Sequence, residues 1–293
     1  MTTPAKQVGA ILAATEVAPA DLRDVSELLE QCGIASLYEE LSPEHRPSSL
    51  LRYVRNRMDS MRIDYWVTEI EEILSRRPLL QAIPVTDKDY PCNLKDAYDK
   101  PPLIWVEGTL AVADNRSLAI VGSRASADSS LAFAYETARE AASDGITVVS
   151  GLARGIDGAA HRGAVDGGGR TFAVLGAGID MEIYPPEHQD LARTVTNSGG
   201  LISHFRPGSP PTKSSFVARN AVISGLSRAS LIVEGGERSG TRTEAESALR
   251  QGRTVLLWAP VMANIRWARQ FAAQPGVQMV TVVEEVIAAV NGD

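Results

Sequence analysis

The feature that most constrains the fold is a regular alternation of short apolar runs and helix-like segments, which begins at Ser117. Strands that are buried on both faces of a sheet read as continuous apolar runs, and these runs have that character. Strands that alternate with helices predict an α/β fold with a doubly wound, mostly parallel sheet. The seven predicted strands are "LAIVGS", "ITVVSG", "TFAVLGAG", "GLISH", "SLIVEGG", "TVLLWAP" and "VQMVTV".

The chain divides into three predicted segments. Residues 1–80 carry apolar residues at helical spacing and predict a small helical N-terminal domain, whose charge runs are interpreted as solvated helix faces. Residues 81–115 are rich in proline and contain the strand-like run "LIWVEG", so we expect an extended connector whose strand joins the sheet. Residues 116–293 form the predicted sheet domain, and no C-terminal winged helix is expected after it.

The composition excludes several classes of protein. Hydrophobic residues make up 44% of the chain and charged residues 22%, and the apolar runs are far shorter than the ~20 residues of a membrane-spanning helix. The N-terminus shows no convincing signal-peptide cleavage site. Cys32 and Cys92 lie in different regions and form no metal-binding motif. We therefore expect a reduced, cytoplasmic protein without membrane association and without a bound metal.

The charge is distributed unevenly. The formal net charge is −7, which argues against a protein that coats nucleic acid indiscriminately. Residues 116–260 nevertheless hold 15 basic and 14 acidic residues, whereas the rest of the chain holds 14 basic and 22 acidic residues. The acidity therefore lies in the flanks, and the central region remains able to present a local basic groove.

The usual cofactor motifs are missing from the sequence. Gly176 and Gly178 after the third predicted strand start a dinucleotide-binding fingerprint, but Met181 stands where its last glycine belongs. There is no P-loop sequence, no HExxH motif and no zinc-ligand set. A Rossmann dehydrogenase is therefore unexpected, and no cofactor is predicted.

The residues with chemical potential follow the predicted strand ends, which is where such sheets bind ligands. In the first loop, Gly122, Ser123 and Arg124 suit an oxyanion, although a tight turn with a surface arginine is equally possible. In the second loop, Asp157 is predicted to cap the next helix, and His161 is interpreted as hydrogen-bonded within the fold.

The fourth strand leads through prolines into a helix that carries Lys213 near its start and Arg219 within it. Basic residues near a helix N-terminus favour anions. Phe205 and Phe216 either stack on bases or belong to the core.

These motifs, taken in order, are similar to those of the DNA-processing protein A family (DprA/Smf). The resemblance runs from about Tyr90 to Pro260 and includes "AIVGSRAS", "VVSGLARGIDGAAHRGA", "GGLISHFRPGSPPTKSSFVARN" and "GLSRASLIVEGGERSGT". It implies a Rossmann-like domain that forms a homodimer, binds single-stranded DNA and loads a RecA-type recombinase during recombination or natural transformation. The implied phosphate-binding residues are Gly122, Ser123, Arg124, Gly151, Arg154, Gly155, Asp157, Lys213, Arg219 and Asn220, and we add Ser239, Gly240 and Thr241 as one wall of the pocket.

Two departures from the family pattern bear on DNA binding. The family's "RNR" reads "RNA" here, so Ala221 removes one positive charge, and the family's "SGSLITA" reads "SGTRTEA".

The stretch "GGERSGTRTE" also resembles a loop of the LOG-type nucleotide phosphoribohydrolases, "GGxGTxxE". In that resemblance Glu244 and Arg219 match the residues that act on a glycosidic bond, but Glu237, Arg238 and Ser239 stand where the motif has one residue. Thr241 and Glu244 also have the spacing of a capping box, which by itself accounts for both residues and is the preferred interpretation.

Three hypotheses follow. The main one is a single-stranded DNA-binding protein of DNA processing with no catalytic activity. The alternatives are a nucleotide N-glycosidase that uses Glu244 and Arg219, or a nucleotide-sensing module of the same fold.

Overall fold

A computed structural model describes residues 4–19, 21–41, 46–237 and 239–292. Arg238, in the loop singled out above, therefore lies outside the described residues. Contacts divide the chain into two compact units. The first comprises Met1–Tyr90 with Asp99–Glu107, and the second comprises Pro91–Tyr98 with Gly108–Asp293.

The first unit is mainly helical, as the spacing of its apolar residues predicts. Its core is formed by buried side chains such as Ile11, Leu29, Leu51 and Ile70. The strands β1 and β2 pair antiparallel, with Leu80 opposite Glu107 and Pro84 opposite Leu103. The elements are α1 (Ala5–Val17), α2 (Leu22–Cys32), a 3₁₀ turn (Ile34–Leu37), α3 (Ser49–Arg57), α4 (Ser60–Arg76), β1 (Leu80–Pro84) and β2 (Leu103–Gly108).

The second unit contains the predicted alternation of strands and helices. All seven predicted strands are present, so the fold-class prediction is confirmed. The elements are α5 (Cys92–Asp96), β3 (Ser117–Gly122), α6 (Asp128–Ser143), β4 (Thr147–Ser150), α7 (Ile156–Asp166), β5 (Thr171–Val174), α8 (Gln189–Ser198), β6 (Gly199–Ser203), α9 (Lys213–Leu226), β7 (Ala229–Glu234), α10 (Gly240–Arg250), β8 (Thr254–Trp258), α11 (Ala259–Met262), α12 (Arg266–Phe271), β9 (Val277–Val280) and α13 (Val283–Asn291).

The strands of the second unit run parallel in the order β6-β5-β4-β3-β7-β8-β9. The chain therefore builds the sheet outward from β3 to β6, crosses back, and continues from β7 to β9 on the other side of β3. Since parallel crossovers are right-handed, this reversal places α9 and α10 on the face opposite α6 and α7. A sheet of this kind binds ligands beyond the carboxyl ends of the strands at the reversal point, here β3 and β7.

Small residues allow α6 and α7 to pack closely on one face of this sheet. A side-chain carbon on Gly163 would lie 2.1 Å from the carbonyl oxygen of Tyr135, so only glycine fits at that crossing. Ala134 and Ala138 of α6 and Ala160 of α7 are fully buried in the core that these helices share with the sheet. The close packing fixes the N-terminus of α7 over the carboxyl ends of β3 and β4.

No helix in the described part of the chain combines the length and the apolarity needed to cross a membrane. The domain limits placed at residues 80 and 115 stay predictions, as does the expected absence of a winged helix.

Candidate functional site

A cleft of about 800 Å³ opens beyond the carboxyl end of β3, where β7 lies beside it. We call it the strand-end cleft. Its walls are the loop after β3, the loop before α7, the N-terminal halves of α9 and α10, and Tyr184. The lining residues are Val121, Gly122, Ser123, Arg124, Ala125, Ala153, Asp157, Tyr184, Pro211, Thr212, Lys213, Phe216, Val217, Arg219, Asn220, Ser239, Gly240, Thr241 and Glu244.

Most of the predicted site residues meet in this one cleft, although they come from four separate loops. Three others, Gly151, Arg154 and Gly155, do not line it. The predicted residues that line it are Gly122, Ser123, Arg124, Asp157, Lys213, Arg219, Asn220, Ser239, Gly240, Thr241 and Glu244.

The two glycines outside the lining support the cleft from below. Gly155 has a φ of +72°, which favours glycine, and a side-chain carbon there would lie 2.3 Å from the carbonyl oxygen of Ser123. Gly151 lies against the guanidinium group of Arg219, where a side-chain carbon would come within 2.0 Å of Nη1. The lack of a side chain at both positions therefore lets Ser123 and Arg219 approach the backbone closely.

Arg154 is turned to a different partner. It forms an ion pair with Glu187, and both side chains are about half exposed. The hydrogen bond to Glu187 raises the pKa of Arg154, and the same bond lowers the pKa of Glu187. The charge of Arg154 is therefore balanced by Glu187 outside the cleft, whereas Arg124 and Lys213 present their charges at the cleft.

Two exposed cations stand at the cleft. Arg124 follows β3 and Lys213 is the first residue of α9, and both side chains are solvent-exposed. The guanidinium carbon of Arg124 lies 5.1 Å from the centre of the Phe216 ring, a distance at which the ring face attracts the cation. This contact holds the charge of Arg124 beside an aromatic surface.

The N-termini of two helices border the same space. Thr212 caps α9 by accepting a hydrogen bond from the N–H of Ser215 at 3.0 Å, and the Ser215 hydroxyl accepts one from the N–H of Thr212 at 2.9 Å. Ser239 is the N-cap residue of α10. Each N-terminus carries about half a positive charge, so both favour an anion in the cleft.

Aromatic side chains form the apolar part of the wall. Phe216 is half-buried in the lining, and its ring centre lies 5.8 Å from that of Tyr184, which is 45% exposed. Phe205 is absent from the lining and instead lies against His204, with ring centres 4.0 Å apart. The two interpretations of these phenylalanines are therefore resolved differently: Phe216 faces the cleft and Phe205 does not.

Sequence reasoning missed Tyr184, Thr212 and Val217. For Tyr184 the available signal was the aromatic residue in the turn sequence "YPPEH". Ala221, by contrast, does not line the cleft, and its carbonyl oxygen accepts a hydrogen bond from Gln251 at 2.9 Å.

Buried charges lie at the base of the cleft. Arg219, Asp157 and Glu244 are 5%, 4% and 1% exposed. Burial lowers the pKa of Arg219, while the charges of Asp157 and Glu244 oppose that shift. Burial likewise raises the pKa of Asp157, against the effect of Arg219 and of two backbone N–H groups. A buried cation with carboxylates near it avoids most of the cost of an isolated buried charge.

The guanidinium group of Arg219 is held by backbone carbonyls. Its Nη1 donates to the carbonyl oxygens of Gly151 at 2.5 Å and of Val174 at 2.9 Å, and its Nε donates to Asn220 Oδ1 at 3.3 Å. Arg219 therefore joins the ends of β4 and β5 to α9 and is fixed in place.

The capping-box prediction for Thr241 and Glu244 is wrong. Helix α10 begins at Gly240 with Ser239 as the N-cap residue, whose backbone is extended at φ −89° and ψ 155°. Thr241 is already helical, and its hydroxyl bonds to the Ser239 hydroxyl. Because the helix starts earlier than the motif predicts, Glu244 lies one turn inside it and is turned into the base of the cleft.

The capping prediction for Asp157 is also wrong. Gly155 is the N-cap residue of α7, so Asp157 lies within the first turn. Its Oδ2 accepts hydrogen bonds from the N–H groups of Gly151 at 3.1 Å and Ala153 at 3.2 Å. Asp157 therefore holds the loop that precedes the helix.

His161 is a structural residue, as predicted. It is fully buried, and its Nδ1 donates to the hydroxyl of Thr171 at 2.8 Å, because that hydroxyl itself donates to the carbonyl oxygen of Val148. Burial lowers the pKa of His161 to about 3.

Comparison with known proteins identifies the family. Residues 81–291 match the model of the DNA recombination-mediator protein A family. The chain is 34% identical over 205 residues to DNA processing protein DprA of Streptococcus pneumoniae, covering 70% of this chain and 72% of that one. It is 38% identical over 213 residues to Protein Smf of Escherichia coli, covering 72% of this chain and 57% of that one.

Solved structures agree with this assignment. The X-ray structure of DNA processing protein A from S. pneumoniae superposes with a TM-score of 0.75 at 26% identity, covering 98% of both chains. That of the Helicobacter pylori protein, described for its single-stranded DNA binding mode, gives a TM-score of 0.64 at 22% identity, covers 73% of this chain and 96% of that one, and shows the shared fold. The chain belongs to the DNA recombination-mediator protein A family.

Proposed function

We propose that this member of the family binds single-stranded DNA in the strand-end cleft and acts in DNA processing and recombination without catalysing a reaction. The observation that carries the proposal is the convergence of two exposed cations, Arg124 and Lys213, with a half-exposed aromatic wall. The family match and the S. pneumoniae relative, which is a DNA processing protein, support the same function.

The cleft offers the backbone of DNA two kinds of contact. Arg124 and Lys213 neutralise phosphates, and the release of counterions from the strand favours binding. The N-termini of α9 and α10 add N–H groups and a partial positive charge. The net charge of −7 limits attraction over long distances, so binding is expected to depend on this local site.

The aromatic wall offers the bases a stacking surface. Single-stranded DNA exposes its base faces, and stacking on an aromatic side chain contributes about 1–3 kcal/mol per base with little sequence preference. Phe216 and Tyr184 stand beside the exposed cations, so one nucleotide can meet both kinds of contact.

The N-glycosidase alternative receives less support. Arg219 is engaged by the carbonyl oxygens of Gly151 and Val174, whereas acting on a glycosidic bond requires a guanidinium group that is free to meet substrate. Glu244 is 1% exposed, and its charge stabilises the protonated form of Arg219. Both residues fit a supporting role under a phosphate site, which also accounts for their place at the base of the cleft.

Three further parts of the proposal rest on the family alone. We expect the protein to recruit a RecA-type recombinase to the bound strand, to act as a homodimer, and to work in the cytoplasm, where such a recombinase acts. Cys32 and Cys92 are free, which suits a reducing compartment.

The test is a titration of labelled oligo-dT across a salt series. Arg124→Ala and Lys213→Ala are each expected to weaken binding and to reduce the salt slope by about 0.7, the value for one lost phosphate contact on a single strand. Arg193→Ala is the matched control, because Arg193 is 69% exposed, pairs with Asp190 and does not line the cleft. An absence of binding at low salt would refute the proposal.

A second assay separates binding from catalysis. The protein is incubated with nucleoside monophosphates and with NAD, and free base is measured. We expect none. Base release that Glu244→Ala abolishes would establish the N-glycosidase in place of the DNA-binding function.

A further inference from the structure

Helix α3 of the first unit is unusually basic for its surroundings. Residues 46–58 contain four arginines and no acidic residue, whereas the first 90 residues together hold 10 basic and 15 acidic residues. The sequence suggested only a solvated helix face.

The arginines of α3 differ in their contacts. Arg55 is half-buried and donates to the carbonyl oxygens of Ser36 and Glu39, so it serves the local fold. Arg52 and Arg57 are exposed. The guanidinium carbon of Arg57 lies 4.4 Å from the centre of the Tyr53 ring, four residues earlier on the same helix. Stacking holds that guanidinium in place and leaves its N–H groups at the edge for a ligand.

Arg62, in the next helix, shows the contrasting arrangement. It also lies over an aromatic ring, 4.4 Å from the centre of Tyr65. Its Nε and Nη2, however, bond to both carboxylate oxygens of Glu16 at 2.6 and 2.5 Å. No ion pair of that kind joins Arg52 or Arg57 to any residue within the described ranges. The stacked arginine on α4 is therefore neutralised, and the one on α3 is not.

We propose that Arg52 and Arg57 of α3 form a second contact surface for the phosphate backbone of single-stranded DNA, separate from the strand-end cleft. This inference rests on the proposed function. The two residues are five positions apart, which corresponds to about 7.5 Å along the helix axis and about 140° around it. Their guanidinium groups therefore reach different phosphates of a strand that crosses the helix.

The proposed function favours the phosphates of a nucleic acid over an acidic peptide as the partner of this surface. Guanidinium groups bind phosphate oxygens through paired N–H donors, and Tyr53 keeps one of them oriented for that contact. The flanking residues Glu39, Glu40 and Asp59 limit the surface to a short stretch of backbone.

The experiment compares two lengths of oligo-dT on the full chain. A single-stranded DNA site of one OB fold covers about 4–16 nucleotides, so we expect an oligonucleotide of about 8 to fill one site only, the cleft, and one of about 60 to offer phosphates to both surfaces. The double variant Arg52→Ala/Arg57→Ala is expected to reduce the salt slope with the long strand by about 1.4, or two contacts at about 0.7 each. Its binding of the short strand is expected to equal that of the wild type.

Matched variants make the result specific. Arg62→Ala removes a stacked but neutralised arginine and is expected to leave the slope unchanged. Arg52→Lys/Arg57→Lys keeps both charges and is expected to retain the wild-type slope, which a purely structural role of the Arg57 stack would not predict. Lys213→Ala is expected to weaken the binding of both the short and the long strand. The results therefore distinguish a failure of the proposed cleft site from a failure of the proposed α3 surface.

Two results would overturn the inference. One is an unchanged slope for the double alanine variant on the long strand while the cleft variants still lose affinity. The other is competition by polyglutamate at α3 that equals competition by oligo-dT at the same charge concentration, which would assign the surface to an acidic peptide.

Discussion

Replacing Gly151 with alanine tests whether Arg219 holds the strand-end cleft together. A side-chain carbon at position 151 would lie 2.0 Å from Nη1, 2.3 Å from Cζ and 2.5 Å from Nη2 of Arg219. Carbon atoms do not approach other heavy atoms so closely, and the buried guanidinium has little room to move. We therefore expect Arg219 to leave the carbonyl oxygens of Gly151 and Val174.

The expected change in the free energy of unfolding follows from the two hydrogen bonds that Arg219 would lose. A hydrogen bond to a charged group contributes about 1.5–3 kcal/mol to stability, whereas replacing glycine with alanine stabilises by about 0.4–1 kcal/mol through the unfolded chain. We expect Gly151→Ala to lower the free energy of unfolding by about 2–4 kcal/mol, within the range for overpacked and broken polar sites. For a unit of this size that lowers Tm by roughly 5–15 °C.

Urea unfolding of the full chain, supported by thermal melts, measures this change. Gly236→Ala is the control, because a side-chain carbon on Gly236 meets no atom within 4 Å, and its effect is expected within about 0.5 kcal/mol. If Gly151→Ala is as stable as the control, the guanidinium group relocates without loss, and the supporting role of Arg219 is refuted.

Three further predictions concern single residues of the second unit. The pKa of His161 lies near 3 in the folded state and near 6.5 in the unfolded state, so between these pH values only the unfolded state binds the extra proton. The free energy of unfolding therefore falls as the pH is lowered across that window, by up to about 1.4 kcal/mol per pH unit. Urea unfolding at several pH values should show a shallower dependence of this free energy on pH for His161→Gln, and equal slopes would contradict the assignment. Phe216→Ala is expected to weaken oligo-dT binding by about 1–3 kcal/mol, as measured by titration. The control variant is Tyr98→Ala, which removes an exposed aromatic side chain outside the cleft lining. Equal affinities of the two variants would exclude base stacking on Phe216. Gly155 has a φ of +72°, and a side-chain carbon there would meet the carbonyl oxygen of Ser123. Gly155→Ala is therefore expected to lower the free energy of unfolding by more than about 1 kcal/mol and also to weaken oligo-dT binding. Normal stability of this variant in urea would show that the loop adapts.

The architecture was accessible from the sequence because strand burial leaves a local signal. All seven strands of the second unit coincide with apolar runs such as "LAIVGS", and the helices between them follow from spacing and glycines. In such a sheet, loops at the carboxyl ends share one edge. The sequence alone therefore predicts the convergence of Arg124, Lys213 and Arg219.

Local motifs were less informative about helix starts. The spacing of Thr241 and Glu244 satisfied a capping box, yet α10 begins with Ser239 as the N-cap residue. A capping motif depends on which residue first adopts helical dihedral angles, and the loop between β7 and α10 decides that. Asp157 shows the same effect, since its carboxylate accepts from the loop of Gly151 and Ala153.

The sequence by itself determined the order of strands and helices, the family motifs and the set of candidate residues around the strand ends. Only the tertiary structure decided how the charges are distributed among partners. Arg154 is balanced by Glu187, Arg219 is held by carbonyl oxygens, and Arg124 stays exposed on an aromatic face. The physical reason is that the sequence shows where an arginine stands but not which partners surround it. Its availability to a ligand depends on which acceptors the fold brings within hydrogen-bonding distance.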